Sequence, residues 1–173
     1  MEKPLVVIVM GSASDIPVME NAFRVLEKFK VPFEARILSA HRTPDESAVY
    51  FKGLVERGVK VIIAGAGWAA HLAGAAAANT TIPVIGVPID SSPLNGMDAL
   101  FATVQMPPGI PVATMAVGKG GAYNAAVFAV QILSLMDTDL TARLDAFKKK
   151  MADEIISEKN KELQDYLAGR KSG

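Results

Sequence analysis

Apolar residues fall into five short runs along this chain: Leu5 to Met10, Phe33 to Leu38, Val59 to Ala64, Ile82 to Val87 and Val112 to Val117. Four of the runs are nearly continuous, which predicts strands buried on both faces, whereas Phe33 to Leu38 is interrupted by Glu34 and Arg36. Between the runs lie segments of helical composition, so strand and helix alternate, the pattern of a parallel sheet covered by helices on both sides. Helix starts are marked in places. Ser14 or Asp15 is placed to cap the first helix, and Thr43-Pro44-Asp45-Glu46 combines a capping-box pattern with proline at the first helical position. Near the end, Leu140, Leu144, Phe147, Met151 and Ile155 recur every three or four residues among lysines and glutamates. This predicts an extra amphipathic C-terminal helix over about 138–168, with a frayed tail from Gly169 to Gly173.

Five strands in strict alternation fit a three-layer α/β architecture of the flavodoxin-like kind, with strand order 2-1-3-4-5 in one domain spanning 1–173. In that order ligands sit at the carboxyl ends of the strands where the winding reverses. The loops after strands two, one and three then lie side by side. Those loops hold three polar clusters, Gly11-Ser12-Ala13-Ser14-Asp15, Ser39-Ala40-His41-Arg42-Thr43-Pro44 and Gly65-Ala66-Gly67-Trp68-Ala69-Ala70-His71, which contain both histidines of the chain.

Composition narrows the chemistry. There is no cysteine among the 173 residues, which excludes disulfides, thiolate metal sites and cysteine nucleophiles and fits a reducing compartment. Eighteen basic and eighteen acidic side chains balance, so no net charge advertises nucleic acid and an anion must be met locally. Met1-Glu2-Lys3-Pro4 and the six apolar residues after it are too short for a signal peptide, and the expected location is cytoplasmic. Val61 to Ala78 is an 18-residue stretch without formal charge. It changes from β-branched to Ala-rich at Gly65, which predicts a buried strand followed by a closely packed helix rather than a membrane span.

In the first cluster, Gly11 permits a tight turn, Ser12 and Ser14 supply hydroxyls, and the following helix start favours an anion such as phosphate. Asp15 repels phosphate but accepts hydrogen bonds from sugar hydroxyls. In the second, Arg42 offers a donor fork suited to phosphate, Ser39 a hydroxyl and His41 a proton carrier. A plain capped turn, or a surface ion pair at Arg42, accounts for the same residues without function. The third cluster matches G-x-G-x-x-G/A, the dinucleotide fingerprint, with Asp90 as ribose acid; yet it follows the third strand, and Trp68 would crowd a pyrophosphate. It reads equally as a small-anion pocket built from backbone N–H groups around Ala66 to Leu72. Gly118-Lys119-Gly120-Gly121 lacks the Ser or Thr of a Walker loop, and two histidines without cysteine suggest no zinc site.

The three clusters, with Leu72, Gly86-Val87-Pro88 and Val104-Gln105-Met106-Pro107-x-Gly109-Ile110-Pro111-Val112, closely resemble the PurE family of purine biosynthesis, from about Val6 to Met136. Arg42 after His41 and the Ala69-Ala70-His71-Leu72 run are similar to the mutase branch. The resemblance implies an isomerase that moves a carboxylate from the exocyclic nitrogen of a carbamate ribonucleotide to the imidazole ring carbon through bound carbon dioxide. It implies no metal or organic cofactor. It places the phosphate on Ser12, Ser39 and Arg42 and the ribose on Asp15, with Gly11, Ser14 and Ala40 beside them. His41 is the implied acid and base, and Gly65, Ala66, Gly67, His71 and Leu72 line the carbon dioxide pocket. A homo-octamer with sites near subunit junctions is the implied assembly. The chain departs from the family at Trp68 and Ala73, where a glycine and a proline are usual. A carboxylase taking aminoimidazole ribonucleotide and carbon dioxide directly, or a non-catalytic nucleotide-binding module, are the alternatives.

Overall fold

The computed structural model describes residues 3–170. They run β1 (Val6–Met10), α1 (Ile16–Lys28), β2 (Phe33–Ile37), α2 (Pro44–Gly53), β3 (Val61–Gly67), α3 (Leu72–Asn79), β4 (Val84–Ile89), α4 (Met97–Val104), β5 (Ala113–Thr114), α5 (Lys119–Ser134), α6 (Thr138–Asp153) and α7 (Asn160–Arg170). All pairings are parallel and the sheet order is β2-β1-β3-β4-β5, the expected order. The chain divides into two compact units, Met1–Leu133 and Ser134–Gly173.

In the first unit, β1 and the first five residues of β3 are fully buried, as their unbroken apolar runs require. Val7, Val9, Ile62 and Ala64 form one core face with Phe51 and Leu54 from the α2 segment and Leu72, Ala73 and Ala76 of α3. Because side chains alternate across a strand, Gly65 belongs to the opposite face. There a Cβ on Gly65 would lie 2.4 Å from Sδ of Met19 in α1, so the bare backbone is what lets α1 close onto the sheet. The small residues of α3 serve the same end on the other face, where Ala73 and Ala76 are buried. The charge-free stretch from Val61 is therefore strand and then short helix, and among the described residues no helix is long and apolar enough to cross a membrane.

Several strand boundaries shift from expectation. β3 and β4 begin two residues late and continue through Gly67 and Ile89, because pairing with each other carries the ladder past the apolar runs. β5 keeps only Ala113 and Thr114, paired with Ile85 and Gly86, since an edge strand has one neighbour to hold it. Helix caps also differ. Neither Asp15 nor Thr43 makes a side-chain cap for the helix it precedes. The Thr43 hydroxyl is turned back to Ser39, accepting from its N–H and donating to its carbonyl at 3.0 Å each. The working capping box lies one turn earlier, between Ser12 and Asp15 around the 3-10 turn Ala13–Asp15.

In the second unit, Asp137 caps α6 by accepting from the N–H groups of Asp139 and Leu140. Leu140, Leu144 and Phe147 are buried, whereas Met151 and Ile155 are exposed. The expected stripe ends at Phe147, beyond which every described residue of the unit is exposed, and the helix widens to a π-turn over Glu154–Lys159 before α7 resumes. Helix thus extends through Arg170, including Gly169 of the expected frayed tail. The remaining residues of that tail, and Met1 and Glu2 at the other end, lie outside the described residues.

Candidate active site

Adjacent strands β2, β1 and β3 deliver their carboxyl-end loops to one cleft of about 560 Å³. It is lined by Gly11, Ser12, Ser14 and Asp15 after β1 and by Ser39, Ala40, His41 and Arg42 after β2. Ala66, Gly67, Trp68, Ala69, His71 and Leu72 come from the end of β3 and the loop beyond it. Of the expected site residues only Gly65 is missing from this lining. It lies one step back in the strand, its carbonyl accepting from the Gly11 N–H at 3.2 Å, and so fixes the start of the first loop.

The first loop is self-bonded. Ser12 N–H donates to Asp15 Oδ2 at 3.0 Å, while Ser12 Oγ accepts from Ser14 N–H at 3.3 Å and from Ser14 Oγ at 3.0 Å. Asp15 is only 4% exposed. Burial raises its carboxyl above the ordinary value of 3.8, while the Ser12 and Gly11 amides and the Arg42 charge pull the other way. A carboxylate kept this dry is a strong acceptor for a hydroxyl that can reach it.

Arg42 ties the second loop to the first. Its Nη2 donates to the Gly11 carbonyl at 2.9 Å, and its Nε and backbone N–H donate to Ser39 Oγ at 3.4 and 3.2 Å. One guanidinium thus stands beside Ser39 and above the Ser12 turn, where hydroxyls and cation converge without a full salt bridge to spend the charge. Such a group suits a phosphate.

At the third loop, His41 Nε2 lies 2.8 Å from His71 Nδ1, with the rings edge-on, 77° apart and their centroids separated by 4.9 Å. His71 stands at the start of α3, its own N–H donating to Ala69 O at 2.8 Å. The amide set for a small anion is therefore narrower than the sequence suggests. Ala66 and Gly67 are in the sheet and the His71 N–H is taken, which leaves the amides of Trp68, Ala69 and Ala70 and the first-turn amides of α3 from Leu72 onward. The glycines of the fingerprint lie within β3, not in a loop, and Asp90 sits against Gly96 and Gly118. The dinucleotide reading falls on both counts. Among the described residues no cluster of three or more His, Cys, Asp or Glu side chains is placed to hold a metal.

Ser91, after β4, also lines the cleft, and the sequence reading missed it. A Cβ on Gly67 would overlap its Oγ at 1.9 Å. The only signal was that glycine itself, which marks a close approach without saying by what.

Comparison with known proteins agrees with this geometry. Residues 5–154 match the family model described as AIR carboxylase. The chain is 53% identical over 154 residues to the N5-carboxyaminoimidazole ribonucleotide mutase of Bacillus subtilis, covering 89% of this chain and 95% of that one. It is 52% identical over 164 residues to the enzyme of the same name from Pyrococcus horikoshii, covering 95% and 91%. A crystal structure of Treponema denticola PurE superposes with a TM-score of 0.83 at 30% identity, covering 91% of this chain and 98% of the other. With the expected sheet order, three converging loops and relatives matching over nearly its whole length, the chain belongs to the AIR carboxylase family.

Proposed function

We propose that the chain is an N5-carboxyaminoimidazole ribonucleotide mutase, an isomerase of purine biosynthesis. The observation that carries this reading is the His41–His71 pair, 2.8 Å apart, in the same cleft as the Arg42, Ser39 and Ser12 group. A ribonucleotide spans the two: phosphate on Ser12, Ser39 and Arg42, ribose hydroxyls on Asp15, imidazole ring at His41.

The reaction needs one proton carried out and back. His41 as imidazolium protonates the carbamate nitrogen, the N–C bond breaks, and carbon dioxide and aminoimidazole ribonucleotide remain in the cleft. The electron-rich ring carbon next to the freed amine attacks carbon dioxide, forming the C–C bond. Neutral His41 removes the proton from that carbon, the ring regains aromaticity and the imidazolium is restored. No net proton is consumed. Carbon dioxide must recombine before it escapes, so the buried Leu72 side chain and the first-turn amides of α3 act by holding it near the ring. His71, bonded to His41 through one shared proton, fixes the tautomer and tilt of the imidazole that does the work. None of these steps calls on a metal or organic cofactor.

The same reading assigns the chain to the cytoplasm and to a homo-octamer. Its relatives' chemistry suits a soluble biosynthetic enzyme, and the apolar side chains left exposed on the described residues suit burial between subunits. Two parallel ultraviolet assays test the activity. One starts from freshly made carbamate ribonucleotide without bicarbonate, the other from aminoimidazole ribonucleotide in carbon dioxide-rich buffer. Rapid formation of the ring-carboxylated ribonucleotide from the carbamate alone is expected. Efficient formation from the second mixture at modest bicarbonate would make the chain a direct carboxylase, and silence in both would leave a binding module.

A further inference from the structure

Trp68 is the sole tryptophan of the chain, and it is not placed in the core. It follows the last residue of β3, lines the catalytic cleft, and is 59% exposed. Its backbone has a φ of +53°, a conformation that glycine takes freely and side-chain-bearing residues seldom adopt. Among the described residues the indole has no ring, cation or hydrogen-bond partner. A large apolar side chain is thus held out on a strained loop, on a wall whose neighbours Ala66, Gly67 and Ala69 are all small.

We propose that Trp68 is a ligand-contacting and specificity-determining residue, whose indole stacks on the flat heteroaromatic ring of the bound ribonucleotide. The inference rests on the functional reading above, which puts the phosphate at Arg42 and the ring at His41. Trp68 stands three residues before His71, the partner of His41, so a ring within proton-transfer reach of His41 is brought to the wall that carries the indole. The small neighbours leave that face open for a flat group. Stacking on an aromatic side chain favours any planar π-system over a saturated one. Trp68 therefore selects for the base, while Ser12, Ser39 and Arg42 are blind to it.

Because the chain has one tryptophan, its fluorescence reports this contact alone. Titration of the full-length protein with the ring-carboxylated ribonucleotide is expected to quench and shift the emission saturably, with the midpoint found by calorimetry. Ribose 5-phosphate, which fills the phosphate end without a ring, is expected to bind and leave emission unchanged. Trp68→Gly relieves the strained backbone and should fold. It is expected to raise Kd and KM about tenfold with kcat within about twofold, whereas Trp68→Phe keeps most of the affinity. Ribonucleotide binding with a silent indole, or unchanged affinity in Trp68→Gly, would overturn the proposal while leaving the mutase reading intact. A fall in subunit number in Trp68→Gly at unchanged ligand affinity would also overturn it, by making the indole a subunit contact. If calorimetry detects no ribonucleotide binding at all, the functional reading fails and this inference falls with it.

Discussion

His41 Nε2 faces His71 Nδ1 at 2.8 Å, a distance that admits one proton between them and no more. Whichever ring donates, the other must accept, so the two tautomers are set together rather than singly. His71 is itself held at the head of α3 by its backbone bonds to Ala69 and Ala75. The His41 imidazole is thus aimed by a residue from a different loop.

Under the proposed mechanism, replacing His41 by Asn removes the proton carrier but leaves the phosphate and ribose contacts. Turnover of the carbamate should drop by about two to four orders of magnitude, as loss of general acid–base catalysis gives. Ribonucleotide affinity, measured by calorimetry, should stay within about threefold, because the change touches an interaction made in the transition state.

His71→Ala should lower kcat by about tenfold with little change in KM, since its role is to orient His41. The double variant should be no slower than His41→Asn alone. Steady-state kinetics on the four proteins decide this; additive losses in the double variant would give His71 a separate role.

Asp15 carries a stability cost that the proposed ribose contact would explain. Its carboxyl is raised by burial, so its contribution favours folding below the ordinary value of 3.8 and is lost as pH rises through the higher folded value. Asp15→Asn keeps an acceptor for the Ser12 N–H and removes the buried charge. The variant should melt about 2–4 °C higher at neutral pH, corresponding to roughly 1 kcal/mol. That gain should vanish in acid, where the native Asp15 is protonated. Ribonucleotide affinity should fall about tenfold with loss of the charged acceptor.

Glu34 has the opposite sign. Burial alone would raise its carboxyl, but hydrogen bonds from Arg57 and from the Tyr50 hydroxyl, the latter at 2.6 Å, bring it below the ordinary value of 4.5. Tyr50, under the Arg36 guanidinium at 4.8 Å, is pushed up to about 12, by burial first and then by its bond to Glu34. The Glu34 contribution is therefore present above pH 4.5 and is lost as pH falls through the lower folded value. Since Glu34 and Arg57 are partly exposed, Glu34→Gln should cost only about 1 kcal/mol at pH 7. Thermal melts of variant and wild type should converge as pH falls through the lowered folded value.

Strand order and the meeting of the three loops were legible because short apolar runs such as Val6–Met10, alternating with helical segments, point to buried parallel strands, and the order 2-1-3-4-5 is a common way to wind five of them. Local bonds chosen among competing polar partners were less legible. Thr43 reads as a cap, yet its hydroxyl satisfies Ser39; Ser12, not Ser14 or Asp15, is the residue that caps. Ser91 was invisible because its loop has no periodicity and its place depends on contact with Gly67. The π-turn at Glu154–Lys159 left no mark in a pattern that continues through it. Within the site, side-chain identities announced the chemistry, but the distance between His41 and His71, 30 residues apart, belongs to the sheet.

Arg42 adjoins His41 in sequence and is bonded both to Ser39 in its own loop and to the Gly11 carbonyl in the next. On the proposed reading, the peptide that grips the ligand's phosphate therefore also sets where the imidazole stands. A ligand stripped of its phosphate would forfeit more than tightness of binding, because the loop that presents His41 would then be held only by its own bonds to Gly11 and Ser39 and by the His71 contact. On that reading handle and blade are one piece, and the part of the substrate farthest from the migrating carboxylate belongs to the machinery that moves it.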